Sequence, residues 1–495
     1  MIWIRPCCCR WVYTLIGSAP NSIVKYLIVG SGPSGVAVAN YLIVNGIRPT
    51  IVDGGVEASN VNLSNSQANR SDKTWFGSAM SYYQPPSSNL FYENNVDARA
   101  SFARGGFSRV WGATFDFIDD YSDWPTEMIP TKEDIDSVRS LVPHGTTSWS
   151  VHNNIDGLDG SARSYDFFTR VLRGSAQAGW VVKPSTIAID NSPSSNHRCN
   201  ACKQCLVGCP NDSIWFAGDV LTVWDSLDLI DYRPGFVVKQ IEEGDRVLVH
   251  MTDSDNKWHQ ITADKVFLAT GAISTAAIVV QSQLQKEVII RDTSTAIGAA
   301  FQIRSRSSLV DEGHHSLSQW WIHSPRLLAQ IYPPTEDLIS IMVKRFRLPK
   351  IFHRILRLVV MRVHPVIAYV PMKSSGYVRV QLVNEIVNIT GHGGGRSPRS
   401  SFKEELSQLS KLFLKSGYLM HRFMFQFKAP GGGYHHGSSF PQGSLSDHVG
   451  RPKFFRNVHI VDSSVLPSLP LGSITPTVMA NAVRIVRTVL SEEKS

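Results

Sequence analysis

Tyr26 to Val29 is an unbroken apolar run, the pattern of a strand buried on both faces. It leads into Gly30-Ser-Gly32-Pro-Ser-Gly35 and a helix-like stretch that ends at Asn45-Gly46. A second strand, Thr50 to Val52, closes on Asp53. Farther on, Gly235 to Ala272 breaks into three or four short runs separated by turns such as Glu243-Gly244-Asp245 and Asp253-Ser254-Asp255, which predicts antiparallel strands. The last of them, Lys265 to Ala272, closes on a glycine. From about Ala296 to Phe427 the pattern is strand-rich again, and Tyr377–Thr390 alternates around Asn384-Glu385 as a hairpin does. Ser401–Tyr418 places leucines at helical spacing and ends on Lys415-Ser-Gly417, a helix with its stop signal. There is no internal repeat.

Composition narrows this picture. A chain of 495 residues fits two or three domains, and 43% hydrophobic with 18% charged residues is an ordinary globular balance. No window approaches the roughly 20 apolar residues of a spanning helix. The opening segment is interrupted by Arg5 and Arg10, so it reads as an untargeted extension rather than a secretory signal. Its Cys7, Cys8 and Cys9 are either a lipid-acceptor cluster or part of a poorly ordered tail. The other four of the seven cysteines lie at Cys199, Cys202, Cys205 and Cys209, so no scattered set exists to frame disulfides. A reducing, cytoplasmic location is expected. Val343 to Pro365 carries seven Lys or Arg and no acid, against a whole-chain net charge of +8. Basic charge on a helix-like apolar stretch fits either a peripheral contact with anionic lipid or a solvated helix. No nucleic-acid motif accompanies it.

Two motifs carry chemistry. In the first, glycines permit a tight turn and close backbone approach to a pyrophosphate, which the following helix N-terminus favours electrostatically. Asp53, 18 residues past Gly35, stands where an acid accepts ribose hydroxyls. Strand, glycine turn, helix, strand and acid in that order predict a dinucleotide-binding unit. The second motif is CNACKQCLVGCP, with the C-x2-C-x2-C-x3-C-P spacing of iron–sulfur ligands. In two-cluster ferredoxins the fourth cysteine of such a string serves the other cluster, and here no second string exists. A single cluster, a zinc site and a metal-free loop are the three readings.

The C-terminal segment NVHIVDSSVLPSLPLGSITPTVMANAVRIV, Asn457 to Val486, resembles the closing motif of the glucose–methanol–choline (GMC) flavin oxidoreductases. GGFSRVWGATF (Gly105 to Phe115) is similar to that family's loop beside the isoalloxazine, and YHHGSSFPQG (Tyr434 to Gly443) to the segment carrying its active-site histidine. The resemblance spans nearly the whole chain, in family order. It implies FAD as the cofactor, with Gly30, Gly32, Gly35 and Asp53 at the ADP half and Val237 or Val238 at the adenine. It implies Gly106, Ser108, Trp111 and Gly112 at the flavin side, and Asp462 at the ribityl or pyrophosphate. His435 matches the family's histidine, with His436 as a neighbour easily confused with it. Two departures stand out. Where the family has a second histidine or an asparagine, this chain reads Gly472-Ser-Ile-Thr-Pro476, leaving Ser473 or Thr475 for that place. Ser438 also replaces a usual glycine.

The fold expected from this resemblance is α/β. It is an FAD-binding Rossmann-type (two-dinucleotide-binding-domain) fold with an inserted antiparallel-sheet-plus-helices substrate domain. Residues 1–21 form the extension, 22–190, 226–295 and 450–495 the FAD-binding domain, 191–225 the cysteine-rich insertion, and 296–449 the substrate domain. The expected activity is an FAD-dependent dehydrogenase that oxidises a hydroxyl of a sugar, polyol or lipid-linked alcohol, with His435 as the base. A cluster at the four cysteines would relay electrons one at a time to an acceptor that the sequence does not identify. An oxygen-using oxidase of the same fold and an impaired flavin-binding scaffold or electron carrier are the alternatives.

Overall fold

The computed structural model describes residues 23–56, 83–117, 121–146, 170–173, 175, 179–200, 209, 211–303, 319–332, 334, 353–393 and 396–494. The N-terminal extension, Cys202, Cys205 and the first part of the basic stretch, 343–352, lie outside them. In chain order the framework begins with β1 (Ile23–Val29), α1 (Pro33–Val44), β2 (Thr50–Asp53) and α2 (Lys132–Leu141). It continues with β3 (Asp231–Pro234), β4 (Val237–Glu243), β5 (Val247–Thr252), β6 (Trp258–Leu268) and α3 (Ala272–Gln281). Next come β7 (Glu287–Asp292), β8 (Thr295–Gln302), β9 (Trp320–Ser324), β10 (Leu327–Ile331), α4 (His353–Val360) and β11 (Val363–Tyr369). The chain closes with β12 (Tyr377–Val383), β13 (Ile386–His392), α5 (Arg396–Lys415), β14 (His436–Gly437), β15 (Val458–Ile460) and α6 (Thr475–Glu492).

The first sheet runs β3-β2-β1-β6-β5-β4, and β15 lies against the far half of β6. β1 pairs in parallel with β2 and β6, and β6 in parallel with β15. The β6–β5–β4 part is an antiparallel meander. The parallel strands end together near Gly30, Asp53, Ala269 and Val461, the edge of an open α/β sheet where ligands bind. Leu27, Ile28, Val29, Val266, Phe267 and Leu268 are all buried; α1 packs on these strands, and α6 packs on α1.

A second sheet orders β14-β7-β12-β13 and then the short strand Leu90–Tyr92, with α3 packed on it in the same core. The β12–β13 hairpin turns at Asn384 (φ +49°) and Glu385 (φ +65°), left-handed residues at both central positions of a two-residue loop. The third sheet runs Tyr418–Leu419, β8, β11, β10, β9, Val181–Pro184. It has its own core, with Trp320, Ile322, Ala329, Val366, Phe402, Leu406 and Phe413 beneath α5. Gly417 (φ +86°) terminates α5, as its sequence signal indicates.

The basic stretch departs from a continuous helix. Among its described residues the helix is His353–Val360, after which Val363–Pro365 enters β11 in the middle of the third sheet. Val363 pairs with β8, and Val366 and Ile367 have partners on both sides, so tertiary pairing overrides the local helical pattern.

Candidate active site

Gly30 turns with φ +102°, and a Cβ there would sit 2.6 Å from the Ala269 carbonyl oxygen. A Cβ at Gly35 would overlap the carbonyl oxygen of Gly30, so this glycine lets helix and strand touch. Gly32 differs: a Cβ there meets no atom within 4 Å. Gly32 is the N-cap of α1, with Pro33 following and no side chain capping the helix. Open space before uncapped N–H groups is what a pyrophosphate needs.

Ser31 ties this turn to the Gly105–Phe115 loop. Its hydroxyl donates to Asp53 Oδ2 at 2.5 Å and accepts the Gly105 N–H at 2.9 Å. Asp53 Oδ2 also accepts from Tyr232 Oη and the Gly55 N–H, both at 3.1 Å. Burial pushes the Asp53 carboxyl above its ordinary range, and these hydrogen bonds oppose that shift. Gly106 (φ +58°) faces Gly32: its Cβ would lie 3.5 Å from Gly32 Cα. Ser108 pins the loop from below, donating to Gly105 O at 2.6 Å and accepting the Ala217 N–H at 3.1 Å. Val238 lies at an irregularity in the β4–β5 register, where the backbone leaves the ladder.

Asp462 is 3% exposed and follows β15 on the same edge of the sheet. It accepts from Thr275 Oγ1 at 2.5 Å and from the Ser464 N–H at 2.9 Å. Burial raises its pKa against those hydrogen bonds. Gly271, the N-cap of α3, has open space at its Cβ position, as Gly32 has. Two glycine-led helix starts, two buried carboxylates and open space between backbone segments fit an extended dinucleotide.

His435 and His436 follow a glycine turn and sit beside the end of β7. His435 O accepts both the N–H and the hydroxyl of Thr293, each at 3.1 Å. Its ring stacks on Tyr369, centroids 4.8 Å apart at 18°. Part of the His435 surface stays accessible, but Nδ1 is sealed and has no partner. Burial, and secondarily the neighbouring His436, lowers its pKa to about 4. The ring is therefore neutral at pH 7 and can accept a proton, although so low a pKa weakens the driving force. Ser438 adopts φ +47°, the left-handed region that glycine enters without strain. A Cβ at Gly437 would overlap the Ser463 carbonyl oxygen, so the chain passes Ser463 closely.

Ser473 is not free for substrate. Its hydroxyl donates to Thr114 O at 2.7 Å and ties the C-terminal loop to the Gly105–Phe115 segment. Thr475 is the first residue of α6.

Around His435 the third sheet contributes groups that no local motif marks. Tyr369 and Tyr332 both direct their hydroxyls to Gln330 Oε1, at 3.5 and 3.3 Å. Burial raises both phenols, so they stay protonated donors. A Cβ at Gly112 would lie 3.8 Å from the Tyr332 hydroxyl, which brings the Gly105–Phe115 loop against this wall. Gln319 joins the same junction, donating to Gly112 O at 3.3 Å and accepting from Thr114 Oγ1 at 3.2 Å. The signal that could have found them is their type: tyrosines and glutamines on or next to mainly apolar strands. A separate surface cavity of about 630 Å³ is lined by Glu127, Met128, His448 and Arg451 among others, and none of the candidate residues borders it.

Of the cysteine string, Cys199 and Cys209 are described and both pack against the main core. Cys199 N–H donates to Asp190 O at 2.9 Å, and Cys209 Sγ accepts the Ser213 N–H at 3.2 Å. Ile189 and Ile214 bridge between them, and next to Ile214 the Trp215 carbonyl accepts from Trp111 Nε1 at 3.1 Å. Cys199 and Cys209 are thus held near the Gly105–Phe115 loop. Among the described residues, no three or more His, Cys, Asp or Glu side chains are grouped to hold a metal ion.

No protein-family model matches the chain. No curated protein matches it either. Among solved structures it is similar to the crystal structure of pyridoxine 4-oxidase from Mesorbium loti, with a TM-score of 0.57. The match covers 94% of this chain and 99% of that one at 13% identity. The chain has the fold of that oxidase. The mixed α/β architecture expected from the sequence, a two-domain FAD-binding fold, is the one observed.

Proposed function

We propose that the chain is a GMC-type flavoenzyme that binds FAD and oxidises a CH–OH donor, a sugar, polyol or lipid-linked alcohol, as a dehydrogenase. The observation that carries this reading is the junction of Gly112, Tyr332, Gln330, Tyr369 and His435. There a neutral imidazole and protonated phenols border the loop that would face the isoalloxazine. Gly30, Gly32, Gly35, Asp53, Val238 and Asp462 would hold the dinucleotide, and Gly106, Ser108, Trp111 and Gly112 the flavin side. FAD, when bound, supplies the hydride acceptor. His435 accepts the hydroxyl proton, and stacking on Tyr369 fixes the plane of its ring. Tyr332 and Gln330 orient the substrate oxygen.

The cysteine string, anchored at Trp111–Trp215, would carry electrons onward through an iron–sulfur cluster, which favours a dehydrogenase. The similarity to an enzyme named as an oxidase favours the second reading, reoxidation by oxygen. Purified protein mixed with a panel of alcohols, pyridoxine included, distinguishes the two. Dye reduction without peroxide release is expected, and peroxide release in place of dye reduction would establish the oxidase. Flavin that no alcohol reduces would leave an impaired scaffold. Anaerobic protein should contain iron and acid-labile sulfide in similar amounts, and Cys→Ser changes should lower both. Protein that stays empty after anaerobic reconstitution would remove the relay.

A peripheral contact with anionic lipid belongs to the same proposal. Leu419 and Val363 flank Phe301 on either side of β8. Leu358, Val359, Leu419, Phe423 and Met424 are exposed, and the stretch that leads into Val363 is basic.

A further inference from the structure

The segment that carries the two histidines is pinned by one carboxyl group. Asp292, the last residue of β7, is 1% exposed. Its Oδ2 accepts the Gly431 N–H at 2.8 Å, while its Oδ1 is buried without a partner. Gly431 begins the turn that closes when the Tyr434 N–H donates back to Gly431 O at 3.1 Å. Directly opposite Asp292 in the ladder is His436, also buried, with an Nδ1 that has no partner. One step along, the Thr293 N–H donates to His435 O. By the alternation of antiparallel ladders, Asp292 and His436 are then a non-hydrogen-bonded pair, whose side chains stand closest on one face. A partnerless carboxyl oxygen and a partnerless imidazole nitrogen therefore share that face. Leaving both unmade carries a desolvation penalty that one hydrogen bond between them removes.

We propose that a side-chain rotation closes Asp292 Oδ1 onto His436 Nδ1 to form a buried dyad holding one proton between them, which leaves Nε2 as the protonated nitrogen of the His436 ring, on the strand face opposite His435. One proton makes the pair net neutral, the cheapest state in a low-dielectric interior. Burial already moves each group toward its uncharged form, the carboxyl up to about 7 and the imidazole down to about 4. The role, though not the pairing, rests on the alcohol-oxidising reading above. Asp292 then positions His435 through the backbone: it holds the Gly431 N–H at the start of the turn, and the next residue, Thr293, holds His435 O.

The test uses flavin-loaded protein labelled with ¹⁵N-histidine, with His436 assigned by its loss in His436→Gln. Wild type should show the Nε2–H form, with Nδ1 as the hydrogen-bonded nitrogen. Asp292→Asn should keep that form, because the amide oxygen takes the Gly431 N–H and the amide nitrogen donates to Nδ1. Asp292→Leu should lose it. An Nδ1–H form in wild type, or an Asn variant that matches the Leu variant, overturns the dyad. If the Leu variant does not fold, the wild-type and Asn spectra decide alone. These spectra need no substrate, so an intact dyad in protein whose flavin no alcohol reduces would sink the alcohol reading and spare the pairing. With an alcohol that does reduce the flavin, Asn should leave the rate nearly unchanged and Leu should lower it by about 10²-fold, the scale of a small misplacement. Equal rates in the two variants would remove the positioning role.

Discussion

A side chain placed at Gly32 would enter open space, and one at Gly35 would enter the Gly30 carbonyl. The two positions therefore separate cofactor binding from folding. Gly32→Val should purify folded with its thermal midpoint nearly unchanged but largely without flavin. Gly35→Ala should lose stability in the apo form itself. Full flavin occupancy in Gly32→Val would put the cofactor elsewhere. At His435, replacement by Ala should slow flavin reduction by about 10²-fold or more at unchanged flavin content, the usual scale for an acid–base group. A larger loss from His436→Ala would move the base by one residue. The glycines and Asp53 were legible because a pyrophosphate turn is local, six residues and a helix start. Tyr332, Tyr369 and Gln330 were not, because β10 and β11 bring them to His435 from about 65 to 105 residues away in sequence, where no spacing rule reaches. Ser473 could be named from sequence, but its commitment to Thr114 O could not.

Among the elements, the β12–β13 hairpin and α5 follow their sequence signals because turn and stop are set by adjacent residues. The basic stretch does not, since β8 and β10 capture Val363 onward as strand. Its consequence is an edge of exposed apolar residues next to cationic chain. Phe423 is 81% exposed on a short 3₁₀ turn and contributes nothing to either core there. Phe423→Asp should leave thermal stability unchanged and reduce co-sedimentation with phosphatidylserine-containing vesicles, more so at low salt. Equal binding of wild type and variant would reassign this surface to solvent.

For the whole molecule, the buried histidines set acid tolerance. His459 is 1% exposed on β15, its Nδ1 pairs with Val449 O at 2.9 Å, and burial lowers its pKa from 6.5 to about 4. The unfolded chain binds that proton more readily, so stability is complete above about pH 6.5 and falls as the pH drops toward 4. Urea midpoints measured across that range should decline, and less steeply in His459→Gln. The same strand has a second effect, on synthesis. β15 completes the parallel part of a sheet begun at Ile23, and α6 then closes over α1. A nascent chain must therefore keep β6 without its outer partner and α1 without its cover until residues 458–492 leave the ribosome. Chaperone dependence should be high during that interval. A premature stop anywhere after the histidine segment, though it spares His435 and Asp53, would yield a polypeptide that captures no flavin and is degraded.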